Sequence, residues 1–570
     1  MNKKWWPVLS LIMTLILLVG CATPTPEVIE KVVTKEVEKV VTQVVKETVK
    51  ETVVVEGTPQ VVEKEVTKVV EKVVTATPEP QAPGGGTFVG SLYITISMID
   101  PHRAVEFSDG TVLPLVFEGL VAFGADGEWK GVLAESWDVS ADGLTWTFHL
   151  RQGVKFHNGR EMTADDVIYS FGRILDENTG ASMRSYFTKI GSYEAVDPYT
   201  VKFVLTGGAG TFLSELGLGS RAAIIARECV TQDGTVVHPI GTGPFEFLWW
   251  KPGEEFRVKR FDDYWGQVAK IDEAVFKFIP DDTVRLTALQ TGEIDWMRRI
   301  PYDQVVKIQG EPIEGVEMAL LYESRTVRFN FNCTRPPFDD PRVRQAIAHL
   351  IDKDAYNEAI WYGVGNPHNQ PFSPGSFLEL PVDDPYRSGD IEAAKALLAE
   401  AGYPDGLEIN AISHVPYKNS WEFLVAVFSQ VGITVNVEYM DSAQWTKQAK
   451  ELDYDAMLAS QSGIYHWDRT YSYFEQASSA SWLVGGYQND AVSELLAKGR
   501  NEADLTVAKE YYTQILQLTQ DDMAAVFIGA EPDVQVWRTW VEGYEPNASN
   551  TNLVGPGWGL NYISLDNKPE

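Results

Sequence analysis

The sequence predicts an α/β body behind an exported, low-complexity N-terminal segment, and three observations carry this. Composition breaks at Thr87: Ala22 to Gly86 contains no Phe, Trp, Tyr or Leu, whereas all but two of the 17 Trp and every Tyr lie beyond it. Past the break, runs of alternating apolar and polar residues interleave with capped, amphipathic helical stretches. Finally, 570 residues at 44% hydrophobic content exceed what one core can hold, so the body should divide into two or three lobes.

The first element is a leader. Residues 1 to 20 place Lys3 and Lys4 before an apolar run from Val8 to Val19. That run, about 12 residues, is too short to remain as a membrane-spanning helix. Leu18-Val19-Gly20-Cys21 resembles a bacterial lipobox, which implies cleavage before Cys21, lipidation of that cysteine and anchorage to the outer face of the cytoplasmic membrane. Residues 21 to 86 then form a stalk of Val, Glu, Lys and Thr, with Val37 to Thr42 repeated at Val70 to Thr75. Valines 33, 37, 40, 44 and 62, 66, 69, 73 follow 4-3-4 spacing, the seam of a coiled coil. The stalk is expected to be a coiled coil or an extended segment holding the body off the membrane; because Val and Thr are poor helix formers, a disordered tether is the competing expectation.

In the body, Leu144 to Leu150 alternates as a strand, and Gly153 to Gly159 continues as a second with an Asn-Gly turn, predicting a hairpin. Thr163 and Asp166 form a capping box for a helix carrying Val167, Phe171 and Ile174 inward. Asp340 caps and Pro341 opens another helix; Asp390 begins a third, closed by Gly402 and Pro404. Val327 to Phe331 and Ile433 to Tyr439 alternate as strands. Gly241-Thr-Gly243 lacks the third glycine of a dinucleotide loop and is expected to be a tight connection.

Ala134-Glu-Ser-Trp-Asp-Val-Ser-Ala-Asp-Gly-Leu-Thr-Trp-Thr-Phe148 and the following Arg-Gln-Gly-Val-Lys-Phe-His-Asn-Gly resemble the bacterial extracellular solute-binding proteins of family 5. Asp100-Pro-His102, Gly241 to Phe245 with Asp263 to Gly266, Gly292 to Asp295, and Pro336 to Ile347 agree in order. The resemblance implies a two-lobed periplasmic-binding-protein-like clamp of type II with an extra sub-lobe. It places lobe I in 87–120, 238–319 and 523–570, the sub-lobe in 121–237 and lobe II in 320–522. It also implies a monomer that hands a small solute to ABC permease subunits served by their own ATPases.

Composition excludes other classes. A net charge of −32, from 80 acidic and 48 basic side chains, repels nucleic acid. No nucleophile elbow, His-Glu-x-x-His, Cys-x-x-Cys or P-loop occurs, so no enzyme, metal or cofactor is expected. The adjacent acidic pairs Asp281-Asp282 and Asp339-Asp340 do not by themselves span a glycosidic bond. Cys229 and Cys333 allow at most one bridge beside the leader cysteine.

The candidate site is Gly463-Ile-Tyr-His-Trp-Asp468. By resemblance, Asp468 receives a peptide's amino group, with Trp467, Tyr465 and His466 beside it and Trp482 in the same aromatic-rich stretch. Arg469 is the expected neutralising neighbour. Aromatic faces also stack on sugar rings, so a peptide and an oligosaccharide both remain open as ligand, as does a sensor role without transport.

Overall fold

The computed structural model describes residues 39–55, 58–74, 85–124, 128–322, 325–462, 466–476, 478, 480–502, 504–546, 553–555 and 557–569. The chain separates into two units, Met1–Gln81 and Ala82–Glu570. Cys21 and Tyr465 lie outside the described residues.

In the first unit, Lys39–Val55 and Thr58–Val74 are 17-residue strands paired antiparallel, with Val55 opposite Thr58. This corrects the coiled-coil and disordered-tether readings for residues 39–55 and 58–74. The seam spacing suits a helix, but β-branched Val and Thr fit a pleated surface better, and only Glu56 and Gly57 separate the strands.

The second unit is built on two mixed sheets. One runs Phe245–Lys251, Glu255–Arg260, Glu273–Phe278, Thr87–Leu92, Trp296–Arg298, Asp533–Arg538, Val316–Leu321. Thr87–Leu92 lies parallel to both Glu273–Phe278 and Trp296–Arg298. The other runs Asn366–Pro367, Ala525–Ala530, Arg325–Phe331, Ala456–Ser462, Glu408–His414, Thr434–Met440. Its last three strands are mutually parallel. The chain passes between the sheets after Leu321 and again after Ala530. The expected lobe edges therefore shift: 320–321 stay with the first sheet, and Ala525–Ala530 pairs with Arg325–Phe331 in the second.

A four-stranded antiparallel sheet, Ala134–Val139, Thr145–Leu150, Thr200–Leu205 and Ile190–Asp197, packs on helix Ala164–Leu175 through Phe148, Phe171 and Phe203. The predicted hairpin is corrected here. Thr145–Leu150 pairs with Ala134–Val139 and Thr200–Leu205, while the Asn158-Gly159 turn closes only an isolated Lys155–Glu161 bridge. The capping expectations are met: Thr163 and Asp166 form a reciprocal box, Asp340 caps Pro341–Leu350, and Asp390 caps Ile391–Glu400.

The other motifs also resolve into packing. A Cβ on Gly241 would lie 2.0 Å from the Val116 carbonyl, so the glycine permits a close backbone approach. In Asp100-Pro-His102, Arg173 pairs with Asp100 and donates to His102 Nδ1 at 2.9 Å, while Nε2 donates to the Ala223 carbonyl at 2.9 Å. Both ring nitrogens are thus committed to the neutral form, and burial pulls the imidazole down to about 4. Cys229 and Cys333 are free thiols, each pushed up to about 11 by burial.

Candidate ligand crevice

Ligands of open α/β sheets bind outside the carboxyl ends of parallel strands. In this molecule those ends are Tyr93 after Thr87–Leu92, Arg299 after Trp296–Arg298, and His414 after Glu408–His414. Tyr93 and Arg299 lie near the crossing between the sheets, where Arg325 feels Tyr93 and Tyr302 feels Arg299. There Arg325 pairs with Glu531 at 3.3 Å and donates to Ser460 Oγ at 3.0 Å, and the Glu531 amide donates to the Arg325 carbonyl at 2.9 Å. Tyr302 and Tyr417 feel the charges of the same pair, and burial pushes both phenols up.

Arg299 is the notable group on the first-sheet side. Its backbone is left-handed, φ 61°, unusual for a residue with a side chain. Its amide donates to the Val534 carbonyl at 2.7 Å, and Arg285 donates to its own carbonyl at 2.9 Å, which together hold that conformation. The exposed guanidinium stands 5.2 Å over the Tyr93 ring and has no carboxylate partner among the described residues. Pattern reading missed it, because a dihedral and an unpaired charge leave no mark at sequence level.

On the second sheet's side, Trp445 and Trp482 meet edge to face at 6.1 Å, His414 lies 4.5 Å from Trp445, and Lys450 Nζ sits 5.8 Å over Trp482. Trp482 is thus part of an aromatic wall, and it is separate from the other predicted site residues. His466, Trp467 and Asp468 lie elsewhere, at the seam between the second sheet's helices and the four-stranded unit.

At that seam His466 caps helix Trp467–Tyr471, its Nδ1 accepting from the Asp468 amide at 3.1 Å. Burial pulls its pKa down to about 4. Trp467 is core: its Nε1 donates to the Leu378 carbonyl at 2.8 Å and its ring stacks on Tyr512 at 5.6 Å. Asp468 accepts from Arg500 Nε at 3.2 Å on each oxygen and from the Tyr512 hydroxyl at 3.4 Å. The expectation that Arg469 neutralises it is corrected, since the Arg469 guanidinium lies 5.3 Å over Tyr186 instead. His466 and Asp468 face Glu215 and Thr211 across a cavity of about 20 Å³, room for about one water. The seam is drawn shut nearby. Gly208 donates to Asn501 Oδ1 at 2.7 Å, Phe123 meets Phe377 at 4.7 Å, and a Cβ on Gly210 would fall 2.1 Å from the Glu502 carbonyl. Among the described residues, no cluster of His, Cys, Asp and Glu is arranged to hold a metal, and no helix is long and apolar enough to cross a membrane.

This architecture is that of the periplasmic binding proteins. The ABC transporter-associated periplasmic binding protein DppA from Helicobacter pylori, in complex with the peptide STSA, matches it with TM-score 0.73 and 26% identity over 85% of this chain and 99% of that one. Residues 128–482 match the model of the bacterial extracellular solute-binding proteins, family 5. The chain belongs to that family. The glutathione-binding protein GsiB of Pectobacterium atrosepticum is 32% identical over 360 residues, 61% of this chain and 68% of the relative. Heme-binding protein A of Haemophilus influenzae is 33% identical over 414 residues, 66% and 70% respectively. Members of the family bind small solutes and deliver them to ABC permeases.

Proposed function

We propose that this chain is a monomeric peptide-binding lipoprotein, anchored through Cys21, that captures short peptides between two hinging lobes and presents them to an ABC permease without catalysing a reaction. The observation that carries the ligand class is the crevice itself. An unpaired cation, Arg299, on the first sheet's side and a tryptophan pair on the second sheet's side together would suit a chain that ends in a carboxylate and carries apolar side chains. The peptide-bound and glutathione-binding relatives support the same class. In this reading lobe I carries Tyr93 and Arg299, and lobe II carries Trp445 and Trp482. His466, Trp467 and Asp468 act at the seam, where Asp468 is held within its own lobe by Arg500 and borders Glu215 and Thr211. Ligand binding shifts the open and closed populations.

The test is titration calorimetry on the mature chain with di- to pentapeptides, their C-terminal amides, and α- and β-linked oligosaccharides. Arg299→Ala is expected to weaken peptide binding at least about tenfold, and amidation should cost as much in the wild type but nothing further in the variant. Binding of an oligosaccharide with no response to peptides would replace this reading with sugar capture.

A further inference from the structure

A carboxylate-bearing cavity lies away from the crevice. About 270 Å³ of partly open space lies between the short strands Val121–Phe123 and Trp129–Gly131, the loop around Tyr264 and Trp265, and the C-terminal stretch near Tyr562. Glu118 projects into it. Its carboxylate accepts from Tyr264 at 2.8 Å, Trp265 Nε1 at 2.9 Å and Thr242 at 2.8 Å, all neutral donors. No cation pairs with it among the described residues.

Arg151 lines the same space. Its Nε donates to the Val132 carbonyl at 2.7 Å and its guanidinium lies 4.8 Å over the Trp265 ring. Its terminal nitrogens have no protein partner among the described residues. One cavity therefore presents an unpaired carboxylate and an unpaired guanidinium, and the two do not pair with each other. Desolvated charges of opposite sign without partners are costly, and a ligand that supplies both complements relieves both. The rest of the wall is apolar, including Pro114, Phe117, Val121 and Val132. The volume falls below the usual range for drug-sized ligands.

We propose that this cavity is a second ligand site, distinct from the crevice, for a small zwitterion with an apolar body: an aliphatic α-amino acid, its ammonium on Glu118, its carboxylate on Arg151 and its side chain against Phe117 and Val132. Burial pushes the Glu118 carboxyl up to about 7 despite its three hydrogen bonds and the weaker pull of the Arg151 charge, with which it forms no ion pair. The Tyr264-Trp265 motif, which the crevice leaves unused, is then the floor of this site.

The experiment is calorimetry of the mature full-length chain with L-leucine and L-valine, and with isopentylamine, which lacks the carboxylate. Ala122→Phe, which fills the cavity from the half-buried Ala122, and Arg151→Met should each weaken leucine binding at least about tenfold. Both should retain peptide binding in the crevice, which also reports correct folding. Arg151→Met should bind isopentylamine as the wild type does. No leucine or valine heat up to about 10 mM, or leucine binding undiminished in both variants, overturns the proposal. Because the readout is leucine binding, loss of the peptide reading would leave this result standing.

Discussion

Asp468, at the seam, shares Arg500 with Glu475, whereas Glu118, beneath the short strands, is held only by two aromatic donors and a threonine hydroxyl. Both carboxylates are largely removed from water, yet one is neutralised by a cation and the other is not. The difference teaches where a ligand can enter. A carboxylate already locked in a charged network fixes geometry and has little to offer a ligand amine; one satisfied by neutral donors keeps its electrostatic demand open.

The sharpest way to break that comparison is Arg500→Ala, which strands Asp468 and Glu475 together and should cost about 3 kcal/mol, the lower end for breaking a buried pair because Arg500 is partly exposed. Arg151→Met, which breaks no ion pair, should cost about 1 kcal/mol. Urea unfolding measures both, and equal losses would erase the distinction. The next effect is in pH. Glu118 binds its proton more tightly folded than unfolded, so its contribution to stability is complete below about 4.5 and is lost as pH rises through about 7. Glu118→Gln should therefore gain on the wild type between those values, by about 3 kcal/mol at most, as followed by thermal unfolding across pH. A parallel pair of pH profiles would show that Glu118 stays ionised throughout. The smallest effect is on affinity: Asp468→Asn should change peptide binding less than about threefold, since its carboxylate is already engaged. A tenfold loss would return Asp468 to the ligand's amino group.

Local rules were the legible part of this fold. Thr163 with Asp166, Asp340 with Pro341, and Asp390 each act within three residues, so their helix starts follow from sequence alone. What sequence could not supply was partner choice at long range. Asp468 bonds to Arg500, 32 positions away, while the adjacent Arg469 points to Tyr186. Successive positions on a helix point to different sides, which is why the nearest charge was the wrong partner. Ala525–Ala530 reads as an apolar strand in any sheet, and only its pairing with Arg325–Phe331 assigns it to the second one. The stalk failed for a different reason: a valine period compatible with a helix competed with the β preference of the same valines, and the preference prevailed.

The seam glycine carries a consequence for how such a clamp fits together. With the position of a Gly210 Cβ 2.1 Å from the Glu502 carbonyl, a single methyl group is enough to wedge the two surfaces apart. The fit at that point has no slack, so one small residue sets how closely the two surfaces can approach.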